Sequence, residues 1–93
     1  MVQTNEYFDG KVKSLAINLT EGKQTIGVIE PGEYEFGTGT KEIMHVISGS
    51  LEALLPGATK WELFTAGKHF EVASGVKFKV KTSQDAAYLC EYK

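Results

Sequence analysis

The chain has 93 residues, a formal net charge of −2, and ten basic residues that are all lysine. This length suits one domain with a small core, a size at which a partner subunit often adds buried surface. The charge balance offers no basic field for nucleic acid, and no apolar run approaches the roughly 18 residues that span a membrane. Met1 through Glu6 carry neither a basic nor an apolar segment, so no secretory signal is read and a cytoplasmic location is expected. Cys90 is the only cysteine, which rules out an internal disulfide; it reads as a small buried hydrophobe in the last strand. Without arginine, any bound phosphate must be held by lysine, hydroxyls or backbone N–H groups, because no guanidinium fork is present.

In chain order, Leu15, Ile17 and Leu19 alternate with Ser14, Ala16 and Asn18, a period of two that predicts a strand with one buried face. Gly-containing turns then recur at Glu21-Gly22, Pro31-Gly32, Ser48-Gly49, Pro56-Gly57, Ala66-Gly67 and Ser74-Gly75, separating short runs rich in Val, Ile, Phe, Tyr and Thr. No helical stripe interrupts them. The expected fold is all-β, one domain over residues 1–93, with strand spacing that suits a jelly-roll barrel.

The alternation also assigns faces. Tyr34, Phe36 and Thr38 share one face while Glu33 and Glu35 look outward; Glu42, Met44 and Val46 share the inner face against His45 and Ile47. Phe78 and Val80 alternate with Lys77, Lys79 and Lys81, a row expected to be solvated and to discourage edge pairing. In the last strand Tyr88, Cys90 and Tyr92 share a face against Leu89 and Glu91. The outcome is an interior of aromatic side chains and methionine around one carboxylate, the composition of a small-ligand cavity. Plain core packing is the ordinary role of inward aromatics, but a carboxylate in an apolar interior needs a reason, which singles out Glu42. His45 and His69 read as surface or interface residues, and Trp61 as core or interface packing. The Gly37-Thr38-Gly39-Thr40-Lys41 loop is either a permissive turn or an anion cradle.

Glu42 through Gly49, Glu-Ile-Met-His-Val-Ile-Ser-Gly, resembles half of a cupin signature. The metal-binding half is absent, since Phe36 and Thr38 stand where His-x-His would precede the Glu, and Phe78 stands where the second motif would supply a histidine. A lone carboxylate does not build a multi-ligand metal site, so no metal is expected.

Further motifs resemble one family of small cupins, the pyrimidine/purine nucleoside phosphorylases: Asn5-Glu6-Tyr7-Phe8, Gly10 through Ser14, Phe36, Glu42-Ile43-Met44, Val46 through Gly49, Leu54-Leu55-Pro56, Gly67, Phe70, Val72, Phe78 and Tyr88-Leu89-Cys90. Ala73 departs from the expected pattern, in which Pro follows Val72. The resemblance implies phosphorolysis of purine and pyrimidine nucleosides to free base and ribose 1-phosphate by a cupin homodimer, with inorganic phosphate as co-substrate and no cofactor. On that reading Glu42 and Tyr88 are the candidate catalytic residues, Tyr34 being an alternative donor to the base, and Tyr34, Phe36, Thr38, Met44 and Phe78 are candidate substrate-binding residues. The residues themselves leave open a non-catalytic cupin that binds a sugar- or nucleoside-like metabolite, a metal-dependent cupin enzyme, and a purely structural module.

Overall fold

A computed structural model describes residues 1–93 and contains ten strands and no helix. The strands are β1 (Thr4–Tyr7), β2 (Val12–Leu19), β3 (Gly22–Ile29), β4 (Gly32–Gly37), β5 (Glu42–Ser48), β6 (Ser50–Leu54), β7 (Glu62–Thr65), β8 (His69–Val72), β9 (Lys77–Thr82) and β10 (Ala86–Tyr92). Every pairing is antiparallel, in a six-stranded sheet ordered β1-β2-β3-β10-β5-β8 and a four-stranded sheet ordered β4-β9-β6-β7. The inner faces of the two sheets enclose one apolar cluster, in which Val12, Ile29, Leu51, Ala53 and Val80 have no exposure.

A period of two is observed, but on β2 the faces are the reverse of those expected: apolar Leu15 and Leu19 are exposed, and the face carrying Ser14 and Ala16 is the buried one. On β2, Val12, Ser14 and Ala16 are buried between exposed Lys13 and Leu15. On β10, Ala86, Tyr88 and Cys90 are buried between half-buried neighbours. β1 carries no such pattern in the sequence; it is positioned by its ladder to β2, which sets Asn5 opposite Ser14 and Tyr7 opposite Val12.

Two glycines are required by what stands beside them. Gly27 lies opposite Tyr88 across the β3–β10 ladder, and any Cβ there would run into the Tyr88 ring. Gly49 turns the chain between β5 and β6 at φ 76°, and a Cβ would sit 2.8 Å from the Asp85 carbonyl oxygen. A register shift between Ala87 and Tyr88 pairs them with Ser48 and Val46 and leaves Ile47 as the extra residue of a bulge.

Two expectations are corrected. The lysine-bearing strand is not an edge: β9 lies between β4 and β6, and its Lys79 and Lys81 stand opposite Glu35 and Glu33. Opposite charges across that ladder are what make the outward lysines compatible with a central strand. Trp61 is outside the core, half-buried beneath Lys81, whose Nζ lies 4.2 Å from the ring centroid in a cation–π contact.

Candidate active site

The interior changes character along its length. On β10 the inward side chains run Ala86, Tyr88, Cys90, Tyr92; on β5 they run back from Val46 through Met44 to Glu42, directly opposite Tyr92. On β4 and β9 the pair Tyr34–Val80 gives way to Phe36–Phe78. One half is packed, with Val12, Ile29, Tyr34, Leu51 and Val80 buried together. In the other half the walls stand apart around an open cavity of about 450 Å³, within the range of small-ligand sites.

Phe36, Glu42, Met44, Phe78 and Tyr88 all line this cavity, joined by Tyr7, Phe8, Ser14, Glu35, Gly37, Cys90 and Tyr92. The aromatic wall is continuous: Phe8 meets Phe36 edge-on at 5.6 Å between centroids, and Phe36 lies 5.8 Å from Phe78. Phe8 holds its place through a left-handed backbone at φ 54°, a conformation that costs a bulky residue energy and that the surrounding turn imposes.

Glu42 is half-buried, and desolvation raises its pKa above the ordinary carboxylate value. The Cys90 thiol opposes that shift by donating to Glu42 Oε1 at 3.4 Å. The thiol itself stays protonated, because burial first and the adjacent Glu42 charge second push its pKa far up. Burial likewise pushes the Tyr88 phenol up to about 12, so Tyr88 is a neutral donor at physiological pH. Inside the cavity, the Glu42 carboxylate thus accepts and the protonated Cys90 and Tyr88 groups donate.

Tyr34 and Thr38 do not face the cavity. Tyr34 is buried behind Phe8, 5.0 Å between ring centroids, and its hydroxyl donates to the Glu30 carbonyl at 2.8 Å. Thr38 Oγ1 donates to the Ala73 carbonyl at 2.7 Å and accepts from the Val76 N–H at 3.1 Å, clasping the β8–β9 turn. Their polar atoms are spent on backbone, which periodicity alone does not reveal. Glu35 departs in the opposite sense: expected to face outward, it borders the mouth, where β4 ends at Gly37 and both faces of the strand edge adjoin the opening. Tyr7 and Phe8 were not assigned to the site from sequence, although two adjacent aromatics before the Asp9-Gly10 turn were a signal that β1 closes something.

At the positions of the missing cupin ligands the cavity presents Phe36 and Phe78, and no three His, Cys, Asp or Glu side chains converge to hold a metal ion. These residues do not fit the metal of metal-binding cupins. His45 lies on the opposite face of the sheet, 2.7 Å from Glu91 and 5.4 Å between ring centroids from His69.

The family model described as pyrimidine/purine nucleoside phosphorylase matches residues 2–92. The chain belongs to the pyrimidine/purine nucleoside phosphorylase family. Relatives bearing that name include one from Pseudomonas putida (strain W619), 58% identical over all of this chain and 99% of its own length. Another, from Tolumonas auensis, is 55% identical over the full length of both. Among solved structures, a protein of unknown function from Vibrio parahaemolyticus superposes with a TM-score of 0.96 at 38% identity, covering 100% of this chain and 99% of that one. An RmlC-like cupin from Shewanella frigidimarina gives 0.78 at 16% identity over 98% of this chain and 82% of that one. The fold of this phosphorylase-family member is therefore that of the cupins.

Proposed function

We propose that the open half of the barrel converts purine and pyrimidine nucleosides, with inorganic phosphate, to free base and ribose 1-phosphate without a metal. The observation that carries this reading is a half-buried carboxylate set in an aromatic-walled cavity beside donors held in their protonated state. The family membership of the whole chain supports the same chemistry.

A phosphate oxygen forms the new bond to ribose C1′ while the C1′–N bond breaks and its electron pair leaves with the base. The transition state has oxocarbenium character, as in glycoside hydrolysis. Glu42, ionised, accepts from ribose hydroxyls and stabilises the developing positive charge, and Cys90 holds its carboxylate in place. Tyr88 donates to the departing base, a role suited to a phenol that does not ionise at neutral pH. Phe36 and Phe78 stack on the base; because every base has a π face, such walls discriminate little among purines and pyrimidines.

The reading includes a cytoplasmic setting, supported by the single free thiol, and a homodimer. The outer face of the six-stranded sheet carries Leu15, Ile26, Val28 and Ile47, each 39–53% exposed. Strands β2 and β3 are thus apolar on both faces, the pattern of a sheet covered on both sides. From strand spacing and rise this face spans roughly 600 Å², close to the ~800 Å² per partner of a standard interface. A second copy related by a two-fold axis fits it, since one apolar patch is complementary to itself. Leu15→Glu with Ile26→Glu then gives a monomer in sedimentation velocity; a dimer unchanged by both substitutions removes this face as the interface.

The reaction is tested with metal-stripped protein incubated separately with uridine and adenosine, with and without phosphate. Phosphate-dependent release of both bases is expected. Tight nucleoside binding without release would make the cavity a binding site only.

A further inference from the structure

The reaction needs a phosphate, yet the cavity wall carries two carboxylates, Glu35 and Glu42, and no cation. The chain has no arginine, so the ten lysines are the candidate side-chain cations beside hydroxyls and backbone N–H groups, and the structure accounts for most of them elsewhere. Lys13, Lys41 and Lys93 are paired with Glu6, Glu71 and Glu91, and Lys81 lies over Trp61. Lys77 and Lys79 belong to the outward face of β9, alternating with buried Phe78 and Val80. Lys11 precedes inward Val12 and so takes the outward side at the start of β2. Lys60 and Lys68 stand in the loops flanking β7, a strand that contributes nothing to the cavity.

Lys23 is the exception. It lies two residues before inward-facing, buried Thr25 and therefore on the inner face of β3. Its Nζ is 5.2 Å from the centroid of the Tyr92 ring, which itself lines the cavity opposite Glu42. The ring is fixed by a 3.1 Å hydrogen bond between the Tyr92 and Thr25 hydroxyls. No carboxylate lies within ion-pair distance of Lys23.

We infer that Lys23, exposed and held against the Tyr92 ring that lines the cavity, binds the phosphate co-substrate and presents one of its oxygens to the C1′ of a ribose anchored by Glu42. This rests on the phosphorylase reading. An exposed ammonium beside a lining residue suits a dianion that must enter from solvent, and it offsets the repulsion from Glu35 and Glu42 that an unpaired phosphate would meet. The division of labour is that carboxylates hold the neutral nucleoside inside while a single cation holds the anion beside Tyr92. Tyr92 supports the arrangement as an uncharged platform, because burial raises its phenol pKa above the ordinary value.

The test has two parts. In steady-state kinetics, Lys23→Met is expected to raise the phosphate KM by about 10-fold or more, with nucleoside KM changed less than about 2-fold, and Lys23→Arg to recover most of the loss. In NMR without nucleoside, inorganic phosphate is expected to shift the Tyr92 ring resonances of the wild type and not those of Lys23→Met. An unchanged phosphate KM, a parallel rise in nucleoside KM, or Tyr92 resonances indifferent to phosphate would each overturn the assignment. Lys23-dependent shifts in a protein that splits no nucleoside would leave the anion site standing and remove the phosphorylase reading, so the two fail separately.

Discussion

The two halves of the interior are built from the same strands by the same alternation, yet one is solid and the other open. In the packed half, Val12, Ile29, Leu51 and Val80 exclude solvent completely, and the Tyr34 hydroxyl is committed to backbone carbonyls. In the open half, Phe36, Phe78 and Tyr88 pack on one side against the core and on the other border an open cavity of about 450 Å³. Inward position alone does not make a site. What distinguishes site from core is whether the polar atoms of inward residues are committed to backbone, as in Tyr34 and Thr38, or border the cavity with only a side-chain partner beside them, as Glu42 does with Cys90 and Tyr88 with Ser14.

The largest expected effect breaks the open half chemically while sparing the fold. Under the proposed reaction Glu42→Gln is expected to lower turnover by about 10²-fold or more, because it removes the charge assigned there to stabilising the sugar cation. Stability should move the other way. The folded-state pKa of Glu42 is raised, so its ionised form opposes folding above that pKa, and this cost is relieved as pH falls through it. The neutral amide removes the cost at pH 7, so the melting temperature of Glu42→Gln is expected to equal or exceed that of the wild type. Near-wild-type turnover would remove Glu42 from the mechanism.

Breaking the packed half has the reverse profile. Leu51→Ala empties a fully buried position and is expected to cost about 2–5 kcal/mol in urea unfolding. The protein that remains folded should keep the wild-type nucleoside KM. A changed KM at full folding would mean that the halves are coupled.

The two tyrosines sharpen the same contrast. Tyr88→Phe is expected to lower kcat by about 10-fold, the loss of one donated bond to the leaving base, with stability within about 0.5 kcal/mol. Tyr34→Phe leaves two carbonyls without their donor and is expected to cost about 1 kcal/mol of stability with kcat unchanged. Equal kinetic effects from both would erase the distinction drawn between them.

Much of this was legible in the chain because period two is a strict geometric constraint. Once Glu42 is taken as inward, Met44 and Val46 follow, and the faces of β9 and β10 were readable in the same way. The fold followed from regularly spaced turns, with Gly49 set in the one that leads from β5 into β6. The roles of Tyr34 and Thr38 were not legible, because each depends on carbonyls that the fold brings into reach, and for Thr38 these lie 35 and 38 residues away. Tyr7 and Phe8 were missed because β1 has no alternation of its own and is positioned by pairing with β2. The contact between Cys90 and Glu42 joins residues on neighbouring strands 48 positions apart, so reading Cys90 as a small buried hydrophobe was right about its burial and silent about its partner.

That contact carries the smallest prediction. Removing the thiol in Cys90→Ala deletes the hydrogen bond that lowers the Glu42 pKa, so that pKa rises further. In the proposed mechanism Glu42 acts ionised, so the acid limb of the kcat/KM profile is expected to move to higher pH, with Cys90→Ser restoring most of the wild-type profile. A limb that does not move, or that moves to lower pH, would show that Cys90 does not act on Glu42.

The account stands on the claim that the open half delivers phosphate, and not water, to C1′. Turnover of uridine by metal-stripped protein in water enriched in oxygen-18, with unlabelled phosphate, tests this through mass analysis of the sugar product. Ribose 1-phosphate without label, formed in step with uracil, is the outcome expected of the proposed reaction. Free ribose carrying oxygen-18, or no release of uracil at all, would contradict it.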